Sequence, residues 1–169
     1  SLEDQHMALD TTIGGTASDS YGTLAAFETY ATSNGWTAAA TDALNEINLR
    51  KAAKYLDRKY LFIGMQQYQF QARAWPRLVN DLVDGWPIDP DTIPADIISA
   101  QFEVAYLLQG GLDPFATIET SSTSESIKVG PITIAGENLP TSTPRIVAVE
   151  GLLRGYIKGG QGMATMVRG

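Results

Sequence analysis

A chain of 169 residues with 44% apolar side chains is sized for one domain with a real core, which excludes wholesale disorder. It has no cysteine, so disulfides, thiolate metal sites and cysteine nucleophiles are excluded, and a reducing compartment fits. The net charge of −7 excludes broad, non-specific coating of DNA, and no apolar run reaches the roughly 18 residues of a transmembrane helix.

The first residues, SLEDQHM, carry neither the basic nor the apolar stretch of a signal peptide. Ser1 to His6 reads as a junction left from a tag, with Met7-Ala8-Leu9-Asp10 as the natural start. The only histidine, His6, then belongs to the junction. Residues 8–20 are small and polar and are expected to form a flexible arm or an irregular entry segment.

A first helix is predicted over about 23–33, where Leu24, Phe27 and Tyr30/Ala31 recur at helical steps and Asn34-Gly35 provides the stop. A second begins between Thr37 and Thr41 and runs to about Tyr60. Leu49, Ala52, Ala53, Leu56 and Tyr60 share one face, Arg50, Lys51, Lys54 and Arg58 lie largely on the other, and Gly64 follows. Residues 66–74 are a short helix or an ordered loop. Trp75-Pro76, Asp84-Gly85, Trp86-Pro87 and Asp89-Pro90 punctuate a turn-rich stretch.

A third helix is predicted over about 94–109, apolar nearly all round and so buried on most sides, with Pro94 suited to its first turn and Gly110-Gly111 ending it. Ile127-Lys128-Val129 and Ile132-Thr133-Ile134 alternate as strands do and form a small arm that must pack on something. A fourth helix is predicted over about 144–158, capped by Thr143 and carrying Gly151 and Gly155 at a one-turn spacing. The expected fold is therefore mainly α: a bundle of about four helices over residues 21–158, with an extended β arm at 127–134. Flexible ends are expected at 1–20 and in the glycine-rich tail 159–169.

The stretch Leu49 to Arg77 holds seven of the twelve Lys and Arg residues against one acid, Asp57. The stripe Arg50, Lys51, Lys54 and Arg58 could track a phosphate backbone, and Tyr60, Phe62, Tyr68, Phe70 and Trp75 could stack single-stranded bases. The plainer reading is a solvated helix face followed by core aromatics. A third is a positive wall, Lys51, Lys54 and Arg58, facing DNA without gripping it. Glu103, the one charge within 97–108, is expected to form a structural ion pair with Arg77, Arg73 being the other candidate.

No catalytic set is found: serines lack a base, the glycine pairs lack a phosphate-loop context, and Asp81, Asp84, Asp89 and Asp91 lack calcium-loop spacing and read as turn formers. No catalytic residue, metal site, cofactor or membrane partner is expected.

Several pieces recur together in one family: Tyr21-Gly22-Thr23-Leu24-Ala25-Ala26-Phe27, Leu49-Arg50-Lys51-Ala52-Ala53-Lys54-Tyr55-Leu56-Asp57, Ala74-Trp75-Pro76-Arg77, Ile93-Pro94 followed by Ala100 to Ala105, and Ser126-Ile127-Lys128-Val129-Gly130-Pro131. In their order and spacing, residues 21 to about 157 resemble the head-to-tail adaptor, or head-completion, proteins of tailed bacteriophages. The resemblance implies a helical body that assembles as a ring, commonly a dodecamer, on the portal protein at the head-tail interface of the virion. Such a ring extends the channel for packaged double-stranded DNA and carries the next neck or tail protein.

On that reading Ile127, Val129, Ile132 and Ile134 bridge neighbouring copies. Arg154, Tyr156, Lys158, Met163, Met166 and Arg168 dock on the portal, and Lys51, Lys54 and Arg58 face the channel. Some sequences of this type carry the label DnaT-like single-stranded DNA-binding protein, and single-stranded DNA binding is the alternative function.

Overall fold

The structure is a computed structural model that describes residues 7–111, 127–129, 132–134 and 146–159. Its elements are α1 (Leu24–Ser33), α2 (Asp42–Lys59), β1 (Met65–Gln66), β2 (Arg77–Leu78), α3 (Ala95–Gln109), β3 (Ile127–Val129), β4 (Ile132–Ile134) and α4 (Val147–Leu153). The protein is thus a small, mainly α fold with a two-strand antiparallel hairpin, as the periodicity predicts.

α2 and α3 form the central pair. α1 packs across both, and α4 packs on α3. Leu49, Ala52, Ala53 and Leu56 of α2 are buried, as are Ile97, Ala100, Val104 and Ala105 of α3. Their small side chains let helices approach closely, and the apolar face of α2 is the one its 3.6-residue period marks out. Thr23 and Thr41 cap α1 and α2 by accepting from the Ala26 and Leu44 amides. Phe27 and Tyr30 of α1 meet Phe102 of α3 at ring distances of 5.6 and 5.4 Å, while Trp36 stacks on Tyr106 at 4.2 Å.

Residues 8–20 form an irregular, hydrogen-bonded entry segment. The Asp10 amide donates to Asp19 Oδ1 at 2.9 Å, and the Asp19 amide donates back to Asp10 O at 2.9 Å. Ser18 and Ser20 are buried. The anchor is Gln101 of α3, fully buried. Its Oε1 accepts from the Tyr21 and Gly22 amides at 3.1 and 2.9 Å. Its Nε2 donates to Ser20 Oγ at 2.7 Å and Leu49 O at 2.8 Å. One amide thereby ties the loop, α2 and α3 together, with its donor and acceptor capacity in use.

Residues 61–78 form an ordered loop rather than a helix. β1 pairs antiparallel with β2, Met65 opposite Leu78 and Gln66 opposite Arg77. The Trp75–Pro76 peptide is cis, and Trp75 lies in the core against Phe62 and Tyr156. Gly64, at φ 71°, sits so close to β2 that a Cβ there would lie 2.2 Å from Leu78 O. Gly64→Ala is therefore expected to destabilise the fold by about 2–3 kcal/mol, read as a lower urea midpoint at unchanged slope.

The fourth helix is shorter than predicted. It stops at Leu153, and turns follow over 154–156. Two glycines in so short a segment each weaken helix by about 1 kcal/mol relative to alanine. Ile146 occupies its N-cap without a side-chain cap bond. The proposed cap Thr143 lies outside the described residues. Past the turns the chain pairs with the exit of α2: the Ile63 amide donates to Tyr156 O at 2.9 Å and the Lys158 amide to Leu61 O at 2.7 Å. The 127–134 arm is a hairpin, Ile127 opposite Ile134 and Val129 opposite Ile132.

Candidate interaction site

Two surfaces emerge once the side chains are sorted into those the fold consumes and those it displays. The cationic stretch is consumed in part. Arg50 Nε donates to Asp19 Oδ2 at 2.7 Å. Arg73 Nη1 pairs with Asp57 Oδ2 at 3.2 Å, both side chains only 16% exposed. Arg77 donates to three backbone carbonyls, Ile63 at 2.7 Å, Ala74 at 3.0 Å and Gly64 at 2.9 Å, and so pins the strand that follows α2.

The expected Glu103–Arg77 ion pair is accordingly absent. Glu103 Oε1 instead accepts from the Tyr30 hydroxyl at 2.9 Å. Burial, then that hydrogen bond, push the Tyr30 hydroxyl up to about 12. Arg73, the other candidate partner, serves Asp57. That carboxylate also accepts from the Tyr21 hydroxyl. Burial raises its pKa, with the Tyr21 hydrogen bond and the Arg73 charge working the other way.

The aromatics divide in the same way. Phe62 and Trp75, two of the five candidate stacking rings, are core. The Tyr68 hydroxyl donates to Asp91 at 2.7 Å. Phe70 is displayed, at 73% exposed. The sequence cannot distinguish a stacking platform from a core cluster, because both use the same rings.

What the fold displays on α2 is a single stripe. Lys51, Lys54 and Arg58 fall on one exposed line, three and four residues apart, as expected. The line begins earlier than the charge: Leu44 and Ile47 continue it and are 49% and 44% exposed. Beyond Asp42, these five residues are the exposed positions of the helix.

The second surface is the 81–91 segment. Its Asp84-Gly85 pair has positive φ at both residues, 53° and 86°, and Val83 and Trp86 exchange amide–carbonyl bonds of 2.9 and 3.0 Å. That is a two-residue hairpin turn of the primed kind. It holds Trp86 at 76% and Leu82 at 62% exposure.

The turn abuts α4. Val83 stands where a Cβ on Gly155 would come within 2.9 Å, while Gly151 opens onto solvent. Between them lies a cleft of about 450 Å³ bordered by Asp84, Asp96, Arg154 and Tyr156. Of the portal-docking candidates, Arg154 and Lys158 are exposed. Tyr156 is structural: its ring packs edge-on against Trp75 at 5.8 Å and its hydroxyl donates to Asp96 at 3.2 Å. Met163, Met166 and Arg168 lie outside the described residues, as do the side chains of Ile127, Val129, Ile132 and Ile134.

Among the described residues, no group of three or more His, Asp or Glu side chains could hold a metal ion, and no helix is long and apolar enough to cross a membrane. A protein-family model described as "Putative DnaT-like ssDNA binding protein" matches residues 6–169. No curated protein and no solved structure matches the chain.

Proposed function

The chain belongs to this DnaT-like family, and from its sequence resemblance over residues 21–157 together with the surfaces it displays we propose that it works as a structural head-to-tail adaptor of a tailed bacteriophage. It assembles as a ring, a dodecamer, on the portal protein, extends the channel for packaged double-stranded DNA and carries the next neck or tail protein. It performs no catalysis, needs no cofactor, and resides at the head-tail interface of the virion after assembly in the host cytoplasm.

The observation that carries this reading is the sorting of side chains. Of the groups a base-stacking groove would use, Arg50, Phe62 and Trp75 are spent on holding the fold, as are Arg73 and Arg77 beside them. Large apolar side chains stand outside instead: Leu61, Met65, Phe70, Leu82 and Trp86 are each more than 60% exposed. Exposed apolar surface of that kind marks protein partners. The sequence resemblance over 21–157 supplies the identity of those partners.

Single-stranded DNA binding is the second reading. It is favoured by the family's description and by the exposed cations of α2.

Co-sedimentation with DNA-filled, tailless capsids of its own phage, followed by cryo-electron microscopy of the vertex, tests the first reading. A ring of density beneath the portal is expected, and a well-folded protein that leaves the vertex bare would end it. Titration with a single-stranded oligonucleotide tests the second. The adaptor reading expects no sub-micromolar binding at low salt. Tight, steeply salt-dependent binding that is lost in K51A/K54A/R58A would establish the second reading instead.

A further inference from the structure

We propose that the outward stripe of α2 is the seat for the Asp81–Asp91 segment of a second copy of this chain. The proposal deepens the adaptor reading and rests on it in taking a like subunit as the occupant.

The argument starts from the composition of the two surfaces. The stripe runs from Leu44 and Ile47 into Lys51, Lys54 and Arg58 over about 21 Å, at 1.5 Å per residue. A wall for phosphates gains nothing from two exposed aliphatics on the same line. A protein partner that is apolar at one end and acidic at the other gains from every position. The 81–91 segment has that character. It displays Leu82 and Trp86, and it carries Asp81, Asp84, Asp89 and Asp91 with no Lys or Arg. Asp91 is engaged by the Tyr68 hydroxyl at 2.7 Å and Asp89 Oδ1 accepts from the Asp91 amide at 2.9 Å, which leaves Asp81, Asp84 and the second oxygen of Asp89, all exposed, to face three cations.

The primed turn presents Trp86 on a rigid frame, so docking it orders little that is not already ordered. A rigid, exposed tryptophan is the residue type that most often anchors an interface.

The segment cannot serve its own stripe. Its Val83 is held against Gly155 in the turn that follows α4, and α4 packs on α3 and not on α2. Pairing α2 with α2 of a neighbour also fails. A parallel arrangement sets cation against cation, and an antiparallel one sets Arg58 and Lys54 over Leu44 and Ile47. Because the two surfaces differ, the contact is heterologous, and copies propagate head to tail into a ring or an open filament.

The test is sedimentation velocity of the full chain at rising concentration and low salt. Wild type is expected to associate, and salt to weaken the association. K51E/K54E/R58E and D81K/D84N/D89K are each expected to sediment as monomers, and their mixture to regain association, because each then carries the complement of the other's altered surface. The middle change, D84N, is chosen because asparagine tolerates the positive φ that Asp84 adopts in the turn. W86A is expected to weaken association by about tenfold or more. Unchanged thermal midpoints verify folding. If the triple turn variant fails to fold, L82S and W86A carry the same reading.

A wild type that stays monomeric at its highest soluble concentration would overturn the contact, as would association that survives both reversals or a mixture that stays monomeric. So would tight oligonucleotide binding lost in K51E/K54E/R58E with sedimentation unchanged. A ring on capsids in which α2 faces DNA would sink the contact and leave the adaptor standing. Self-association without capsid binding would do the reverse.

Discussion

Gln101→Leu is expected to destabilise the protein by about 3–5 kcal/mol, one of the largest effects of any single substitution in the bundle. Leucine fills most of the volume but bonds to nothing. The Tyr21 and Gly22 amides, which now donate to Gln101 Oε1 at 3.1 and 2.9 Å, would be left buried without an acceptor. Ser20 Oγ and Leu49 O would lose their donor. Each orphaned group carries a desolvation penalty of roughly 1–3 kcal/mol.

For a chain of this size the loss corresponds to a fall in Tm of roughly 10 °C or more, measurable by thermal unfolding. Gln101→Glu separates polarity from volume. An ionised carboxylate cannot donate to Leu49 O, so the variant is expected to be unstable at neutral pH. It should recover as the pH falls and protonation restores a donor. A Gln101→Leu variant as stable as wild type would show that the network contributes nothing.

Arg73→Ala is expected to lower stability by about 3 kcal/mol, because it strands the Asp57 carboxylate in a nearly buried site. The Tyr21 hydroxyl remains to it but supplies no opposite charge. Exchanging both members, as in D57N/R73M, should recover most of the loss, since a neutral pair has no ion to desolvate.

The pH dependence has a defined sign. Burial raises the folded-state pKa of Asp57 above the usual 3.8. The folded protein therefore holds the proton more tightly than the unfolded chain. The stability this contributes is fully present below pH 3.8 and is lost as pH rises through the higher folded value. Removing Arg73 removes a charge that opposes the shift, so the deficit of Arg73→Ala should shrink on acidification over that window. Urea titrations at several pH values would read it. A deficit that grows as the pH falls would refute the assignment.

The parts of the fold that were legible in the sequence are those governed by local periodicity. Leu49, Ala52, Ala53 and Leu56 marked the buried face of α2 before any coordinates, and the apolar run Ile97 to Leu108 marked α3. The parts that were not legible depend on long-range polar pairing. Nothing local to Ser18 and Ser20 tells that they are buried, since their burial is decided by Gln101, which lies 81 residues beyond Ser20.

Glu103 was recognised as a charge needing a partner, but the tyrosine one helix away outcompeted the arginines, which loop carbonyls and Asp57 had claimed. Of the candidate surface, Lys51, Lys54 and Arg58 are legible as one exposed face, whereas Arg50, grouped with them by the pattern, is half-buried against Asp19. Leu44 and Ile47 were missed there, although their three- and four-residue spacing continues the line. Apolar residues on a helix are read by default as inward-facing. Trp86 was seen only as part of a turn signal.

The pairing of 156–158 with 61–63 sets where the smallest self-sufficient unit ends. The last helix closes at Leu153, but Tyr156 covers Trp75, and Ile157 bridges Phe62. A cut or a fused domain placed directly after α4 would strip the 156–158 bridge from the bundle and open its indole core to water. A fluorophore, tag or tether attached beyond Gly159 leaves that seam closed. That seam, and not the end of the last helix, is what closes the described fold.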